Sequence, residues 1–101
     1  AVILNVVGST VCSPAQWSAV VRILDGLDPQ PGGIAVGDAV GVEDAAAFWC
    51  RENLGPPLPA TADADQLLAI YCRKPDPDTA AAVKLARRCR LFVREFDLSR
   101  T

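Results

Sequence analysis

The segment Gly37-Asp38-Ala39-Val40-Gly41-Val42-Glu43-Asp44 joins a short apolar run, Ile34-Ala35-Val36, to an acidic, alanine-rich helical pattern. Two glycines bracket the turn and carboxylates follow it. A strand–loop–helix turn of this kind points the first helical N–H groups outward. They have no partner within the helix, and the helix dipole is positive there, so an anion or the polar edge of a nucleotide can be held. Asp38 is placed either to cap the following helix or to accept a hydrogen bond from a ribose hydroxyl. Glu43 and Asp44 also suit the positive helix start on purely structural grounds.

Other chemistry is sparse. There is no histidine, which removes His-dependent triads, His metal sites and the usual general base. Cys12, Cys50, Cys72 and Cys89 form no Cys-x-x-Cys pair, so zinc spacing is absent. They are expected to act as small buried apolar residues in a reducing cytoplasm. Cys12 and Cys72 fall near the same loops as the candidate site, but no histidine is available to activate a thiol. No metal or cofactor is called for.

The elements that position these residues follow from apolar periodicity. Residues 2–7 read as a buried strand broken by Gly8-Ser9-Thr10. Ser13 is a helix N-cap, with Pro14 at the first helical position and Gln16 closing a capping box. Trp17, Val20, Val21, Leu24 and Leu27 then make one apolar helical face. Gly26 and the Asp28–Gly33 stretch end that helix. Ile34–Val36 is a second strand, followed by a helix that begins after Gly41 and runs to about Asn53, with Val42, Ala45, Ala46, Trp49 and Cys50 facing inward. A short extended segment is expected near Leu58–Ala60. Leu67–Cys72 is a further buried strand, and Asp76 is an N-cap with Pro77 at the first helical position. Ala80 to about Cys89 is the third helix and Leu91–Phe96 the last strand. Trp17 and Trp49 are expected in the core.

Alternation of continuous apolar strands with helices indicates an α/β fold. The expectation is one Rossmann-like, doubly wound domain over residues 1–101, with a mostly parallel sheet of four or five strands and three main helices. Ligands bind such sheets at the carboxyl ends of the strands. Loops 8–13, 37–43 and 73–79 all leave strands at that edge.

The bulk numbers agree. A chain of 101 residues suits one domain and buries roughly two thirds of its unfolded surface, enough for a core without staples. Half of it is hydrophobic, yet no apolar run approaches the ~20 residues of a membrane span. The N-terminal apolar run has no basic region before it and reads as a strand rather than a signal peptide. A cytoplasmic protein without membrane contact is expected. The net charge of −2 argues against nucleic-acid binding. Arg87, Arg88 and Arg90 lie where a helix should end, and they suit its negative dipole end.

The loops also resemble a known group. Val-Val-Gly8-Ser9-Thr10, then Val36-Gly37-Asp38-Ala39-Val40-Gly41-Val42-Glu43, then Leu-Leu-Ala-Ile-Tyr71 before a loop and helix, resemble small members of the SLOG superfamily. This Rossmann-like group includes the LOG phosphoribohydrolases and the DNA-processing A proteins. The resemblance covers nearly the whole chain in order and spacing. It implies binding of a nucleotide or nucleotide-derived molecule, with some relatives cleaving the base–ribose bond. Gly8 and Ser9 match the group's first loop, Gly37, Asp38 and Gly41 its second, and Thr79 the threonine of its third. Thr10 stands where many relatives have Arg, and Glu43 where many have Asp. The Gly-rich third loop is replaced by Arg73-Lys74-Pro75-Asp76-Pro77-Asp78, in which prolines lack the N–H and carboxylates repel an anion. Arg73 or Lys74 can supply charge instead. The catalytic signature of the LOG enzymes is absent.

Three functions follow for comparison. The first is a non-catalytic module that binds a nucleotide-type ligand through Gly8, Ser9, Thr10, Gly37, Asp38, Gly41, Glu43, Lys74 and Thr79. The second is a hydrolase of the nucleotide N-glycosidic bond, with Glu43 or Asp38 as its only good carboxylates. The third is an interaction protein that keeps the fold with a degenerate site and self-associates as a homodimer through a helix face. The third loop favours the first and third over the second.

Overall fold

The apolar runs pair into an all-parallel sheet. The computed structural model describes residues 2–101. In chain order its elements are β1 (Ile3–Gly8), α1 (Pro14–Asp25), β2 (Gly33–Ala35), α2 (Val42–Asn53), β3 (Gln66–Tyr71), α3 (Pro77–Arg88) and β4 (Phe92–Asp97). The strands lie in the order β2-β1-β3-β4. Leu4 aligns with Gln66 and Gly8 with Ile70 between β1 and β3, while Gln66 aligns with Phe92 and Tyr71 with Asp97 between β3 and β4. The fold is α/β and Rossmann-like, as expected.

The short segment near Leu58 is present but reduced to one bridge. Leu58 pairs in parallel with Ala35, accepting from Val36 N at 3.0 Å and donating to Ile34 O at 2.8 Å. Since β1 occupies the other side of Ala35, Leu58 extends the sheet outward from β2. Pro57 and Pro59 flank it and have no N–H to give a ladder, which keeps the added strand to one residue. The chain then returns to β3, on the far side of β1, so the direction of winding changes between β1 and β3. The end of the sheet beside that switch is where open α/β folds place ligands.

Alternation along the strands divides the core. Leu68, Ile70 and Cys72 join Leu4, Val6, Ile34 and Val36 against α1 and α2. Leu67, Ala69 and Tyr71 face the other way, against Val83 and Ala86 of α3. Two helices therefore cover one face and one covers the other. Trp49 of α2 is buried on the two-helix face, and its indole N–H reaches Asp25 Oδ1 of α1 at 2.6 Å. Trp17 only flanks the core. It packs on the exposed Phe48, with ring centroids 5.2 Å apart, and donates to Asp44 Oδ2. Arg87 and Arg88 sit in the last turn of α3, as the dipole argument requires. No helix among the described residues is long and apolar enough to cross a membrane.

Helix starts are where local sequence speaks most clearly. Ser13 and Gln16 form the full capping box, with both reciprocal hydrogen bonds made. Asp76 caps α3 through Thr79 N. By contrast α2 has no side-chain cap. Gly41 precedes it at φ 85°, ψ −127°, and a Cβ there would run into the backbone of Ser9 and Thr10. Both the positive φ and the contact require glycine. Gly41→Ala is expected to lower the unfolding free energy by about 1–3 kcal/mol from backbone strain alone, with the steric clash adding to that. Urea denaturation measures it, and a change within 0.5 kcal/mol (roughly the surface-substitution range) would contradict this account.

Candidate functional site

Ser9 follows β1 and is 1% exposed. Its N–H donates to Ile70 O at 3.2 Å and its carbonyl accepts from Val42 N at 3.0 Å. Its hydroxyl donates to Asp76 Oδ2 at 2.6 Å and accepts from Cys72 N at 2.9 Å. Asp76 also accepts from Thr79 N and, at 2.9 Å, from the Thr79 hydroxyl. Thr79 is buried, at 3% exposure. The end of β1, the end of β3 and the starts of α2 and α3 thus meet in one hydrogen-bonded knot.

Gln16 reinforces this knot from α1. Its Oε1 accepts from Ser13 N, while its Nε2 donates to Cys72 O at 2.7 Å and to Leu98 O at 2.9 Å. The capping residue therefore also clamps the ends of β3 and β4. Cys12, half-buried in the β1–α1 loop, places its Sγ 2.7 Å from that of Cys72.

The nine residues expected to bind ligand lie in three places along this end of the sheet. Gly8, Ser9, Gly41 and Thr79 come together at the knot, with Ser9 and Thr79 buried in it and the two glycines partly exposed. A Cβ on Gly8 would strike Ile70 O and the Val42 side chain, so close packing of α2 on β1 accounts for this glycine. Thr10 lies beside them and is exposed. Gly37, Asp38 and Glu43 lie on the β2 side. Lys74 lies on the β4 side, over the Tyr71 ring at 4.7 Å and 3.5 Å from Asp97 Oδ2. Both partners of that ion pair are about half exposed, so it adds little stability.

The β2 side carries an open cleft of about 700 Å³ between loop 37–39, one face of α2 and segment 57–61. Asp38, Asp44 and Arg51 supply its charges, and Val36, Ala39, Ala47 and Leu58 its apolar lining. Its size falls in the range of small-molecule sites, ~300–1,000 Å³. At the opposite end of the sheet, between Leu27, Pro29 and Arg94, a hollow of about 30 Å³ has room for little more than a water. A groove of about 550 Å³ beside Tyr71, Lys74 and Asp76 offers fewer ligand groups, because Lys74 is paired with Asp97 and Asp76 is bound into the knot.

From sequence, Asp44 is read only as suiting the helix start and Leu58–Ala60 only as an extended segment, and Arg51 carries no signal of its own. Asp44, Ala47 and Arg51 recur at spacings of three and four, which places them on one face of α2. The small Ala47 in that row leaves the space that becomes the cleft. Asp44 is held in place by the Trp17 indole.

Two carboxyls are displaced in opposite directions. Burial raises the Asp76 carboxyl, but hydrogen bonds from Ser9 and Thr79, with the charge of Arg73, outweigh it and leave a net fall below the ordinary value. Burial raises Glu43. A hydrogen bond from the Gly37 backbone offsets part of that, and the nearby charge of Asp38 adds to the rise. Among the described residues no group of three or more metal-ligating side chains clusters. No family model, curated protein or solved structure matches the chain.

Asp76→Ala removes a helix cap and strands two buried hydroxyls. It is expected to cost about 1–3 kcal/mol at neutral pH. Since the folded-state pKa of Asp76 is depressed, its contribution is full above the ordinary value of 3.8 and is lost as pH falls through the folded value. The gap between wild type and variant should therefore narrow in acid, and a gap independent of pH would refute the assignment. Glu43 has the opposite sign. Its raised pKa means wild type loses stability as pH rises from 4.5 through the folded value. Glu43→Gln should match wild type in acid and be the more stable of the two at pH 7 (guanidinium melts at both pH values decide), and a less stable variant at pH 7 would count against it.

Proposed function

We propose that this chain is a binding module that takes a nucleotide-type small molecule, without chemistry, in the cleft beside β2. The observation that carries the reading is that exposed Asp38 and Arg51 both line one cleft with apolar walls, at the carboxyl end of a parallel strand. In Rossmann-like sheets an acidic residue after the second strand hydrogen-bonds ribose hydroxyls. Asp38 stands three residues beyond the end of β2 at Ala35 and suits that role. Arg51 suits a phosphate or another acceptor-rich edge. The resemblance of Val36–Glu43 to the second SLOG loop supports the same ligand class.

Charge limits the ligand further. Asp38, Asp44 and the neighbouring Glu43 outnumber Arg51, so the field favours hydroxyl donors over multiply charged anions. A nucleoside or monophosphate should bind better than a triphosphate. The knot at β1 and β3 has its hydroxyls already paired, which argues against a phosphate cradle there. It also leaves Ser9 and Thr79 out of the contact set.

Calorimetric titration with nucleosides, nucleoside monophosphates and dinucleotides tests this. Asp38→Ala and Arg51→Ala are each expected to weaken binding by about 10- to 100-fold, the value of a hydrogen bond to a charged group. Thermal unfolding in saturating ligand should rise for wild type alone. Unchanged affinity in both variants would move the ligand elsewhere. Absence of binding by any compound, with a stable dimer mass, would leave the interaction-protein reading. Release of free base from a monophosphate would identify a hydrolase.

A further inference from the structure

Cys12 and Cys72 are sixty residues apart in sequence, yet their Sγ atoms approach to 2.7 Å. This is closer than two non-bonded sulfurs ordinarily settle, and both thiols are free. The approach is imposed from the backbone. Cys72 N–H is held by the Ser9 hydroxyl and Cys72 C=O by the Gln16 side chain. Ser9 and Gln16 lie on either side of Cys12 in the chain, so the segment carrying Cys12 is fastened to Cys72 at both ends. Ser9 and Gln16 are themselves buried, which makes the fastening rigid. Neither remaining cysteine has such a partner. Cys50 is buried against Gly55 O, and Cys89 is exposed at the end of α3.

We infer that Cys12 and Cys72 form a reversible modification site, a dithiol that a low-molecular-weight disulfide converts to an intramolecular disulfide between the β1–α1 loop and the end of β3. Cys12 is the half-exposed partner and meets the oxidant first. Its thiolate attacks one sulfur of the added disulfide, making a mixed disulfide and expelling one small thiolate with its electron pair. Cys72 then gives up its proton, and its sulfur attacks the Cys12 sulfur. The mixed S–S bond breaks and the second small thiolate leaves. The two protons released by the cysteines end on the two expelled thiols. Two protein sulfurs are oxidised and one disulfide is reduced. The order of events also suits the local environment. Burial, the hydrogen bond and charge of Cys12, and the charge of Asp76 push the Cys72 thiol up to about 12, so it remains protonated until its partner has reacted.

The geometry was beyond reach of sequence spacing, since no motif joins the two positions. Its placement gives it consequence. The bond would cross the point between β1 and β3 where the winding changes direction, and close a long loop of the unfolded chain. Such cross-links stabilise mainly by restricting the unfolded state.

The test uses the whole reduced chain, treated with excess glutathione disulfide, quenched by alkylation and weighed intact. Loss of the Cys12 and Cys72 thiols is expected with no glutathione retained on either, while exposed Cys89 takes up at most one glutathione. Non-reducing peptide mapping should then show a Cys12–Cys72 link that dithiothreitol reverses. A Cys50→Ser, Cys89→Ser double variant should still lose both remaining thiols and should melt at a higher temperature when oxidised. Cys12→Ser should show neither the link nor the shift. Four thiols still alkylatable, a link through Cys50 or Cys89, or glutathione adducts without a Cys12–Cys72 bond would each overturn the inference. Mapping of the unmodified chain decides the matter even where a variant folds poorly.

Discussion

Every polar group of Ser9 is committed. One residue donates through its amide to β3, accepts through its carbonyl from the start of α2, donates through its hydroxyl to the cap of α3, and accepts through the same oxygen from the end of β3. At 1% exposure none of these groups has water as an alternative. A buried network of this kind is stiff when complete and costly when any member is missing. It fixes where β1 stops relative to β3, and it fixes the directions in which α2 and α3 leave the sheet. The register of the central strand pair, with Gly8 opposite Ile70, is the register at which Ser9 can reach Cys72 and Asp76 together.

That constraint decides which part of this end of the sheet stays open. In open parallel sheets the place where winding changes direction usually stays open and receives a ligand. Here the knot fills it. Gly8 and Gly41, which could bring backbone amides close to a phosphate, bring α2 close to β1 instead. Asp76 adds a carboxylate held ionised by its donors, and an anion would not settle beside it. What remains open at the same end of the sheet is the flank beyond β2, where Leu58 is the only pairing residue and the prolines around it keep the added strand from closing the cleft.

How much of this was legible depends on the range of the interaction. The Ser13–Gln16 box and the Asp76 cap are written within four residues, and their residue types admit few other uses. The sheet was legible because continuous apolar runs separated by helices leave little choice of architecture. Long-range identities were not. Ser9 and Asp76 are 67 residues apart, and Gln16 reaches Leu98 across 82. Periodicity reports which face a residue takes, not the register that brings two loops together. Glycine carries the other ambiguity. Close approach to a phosphate and close approach to a helix demand the same missing Cβ, and only the atoms around Gly8 tell them apart. Thr79 is ambiguous in the same way, because a hydroxyl near a helix start can serve a ligand or the cap beside it.

The knot and the cleft are nevertheless mechanically joined, and Gly41 is the joint. Loop 37–41 leaves β2 along the wall of the cleft, with Asp38 exposed and Gly37 held by Glu43. It ends against the backbone of Ser9, where Val42 is bonded. One end of the wall is therefore tied to the most rigid part of the molecule. The other side of the cleft is α2, whose first amide is fixed by the same carbonyl and whose Asp44 is held by Trp17 of α1. A group that binds between Asp38 and Arg51 meets a surface ordered before it arrives, so little conformational entropy is lost on binding. Ser9 thus shapes the cleft without lining it. Its four hydrogen bonds set the position of the loop and of the helix, and those two elements set the distance between the charges.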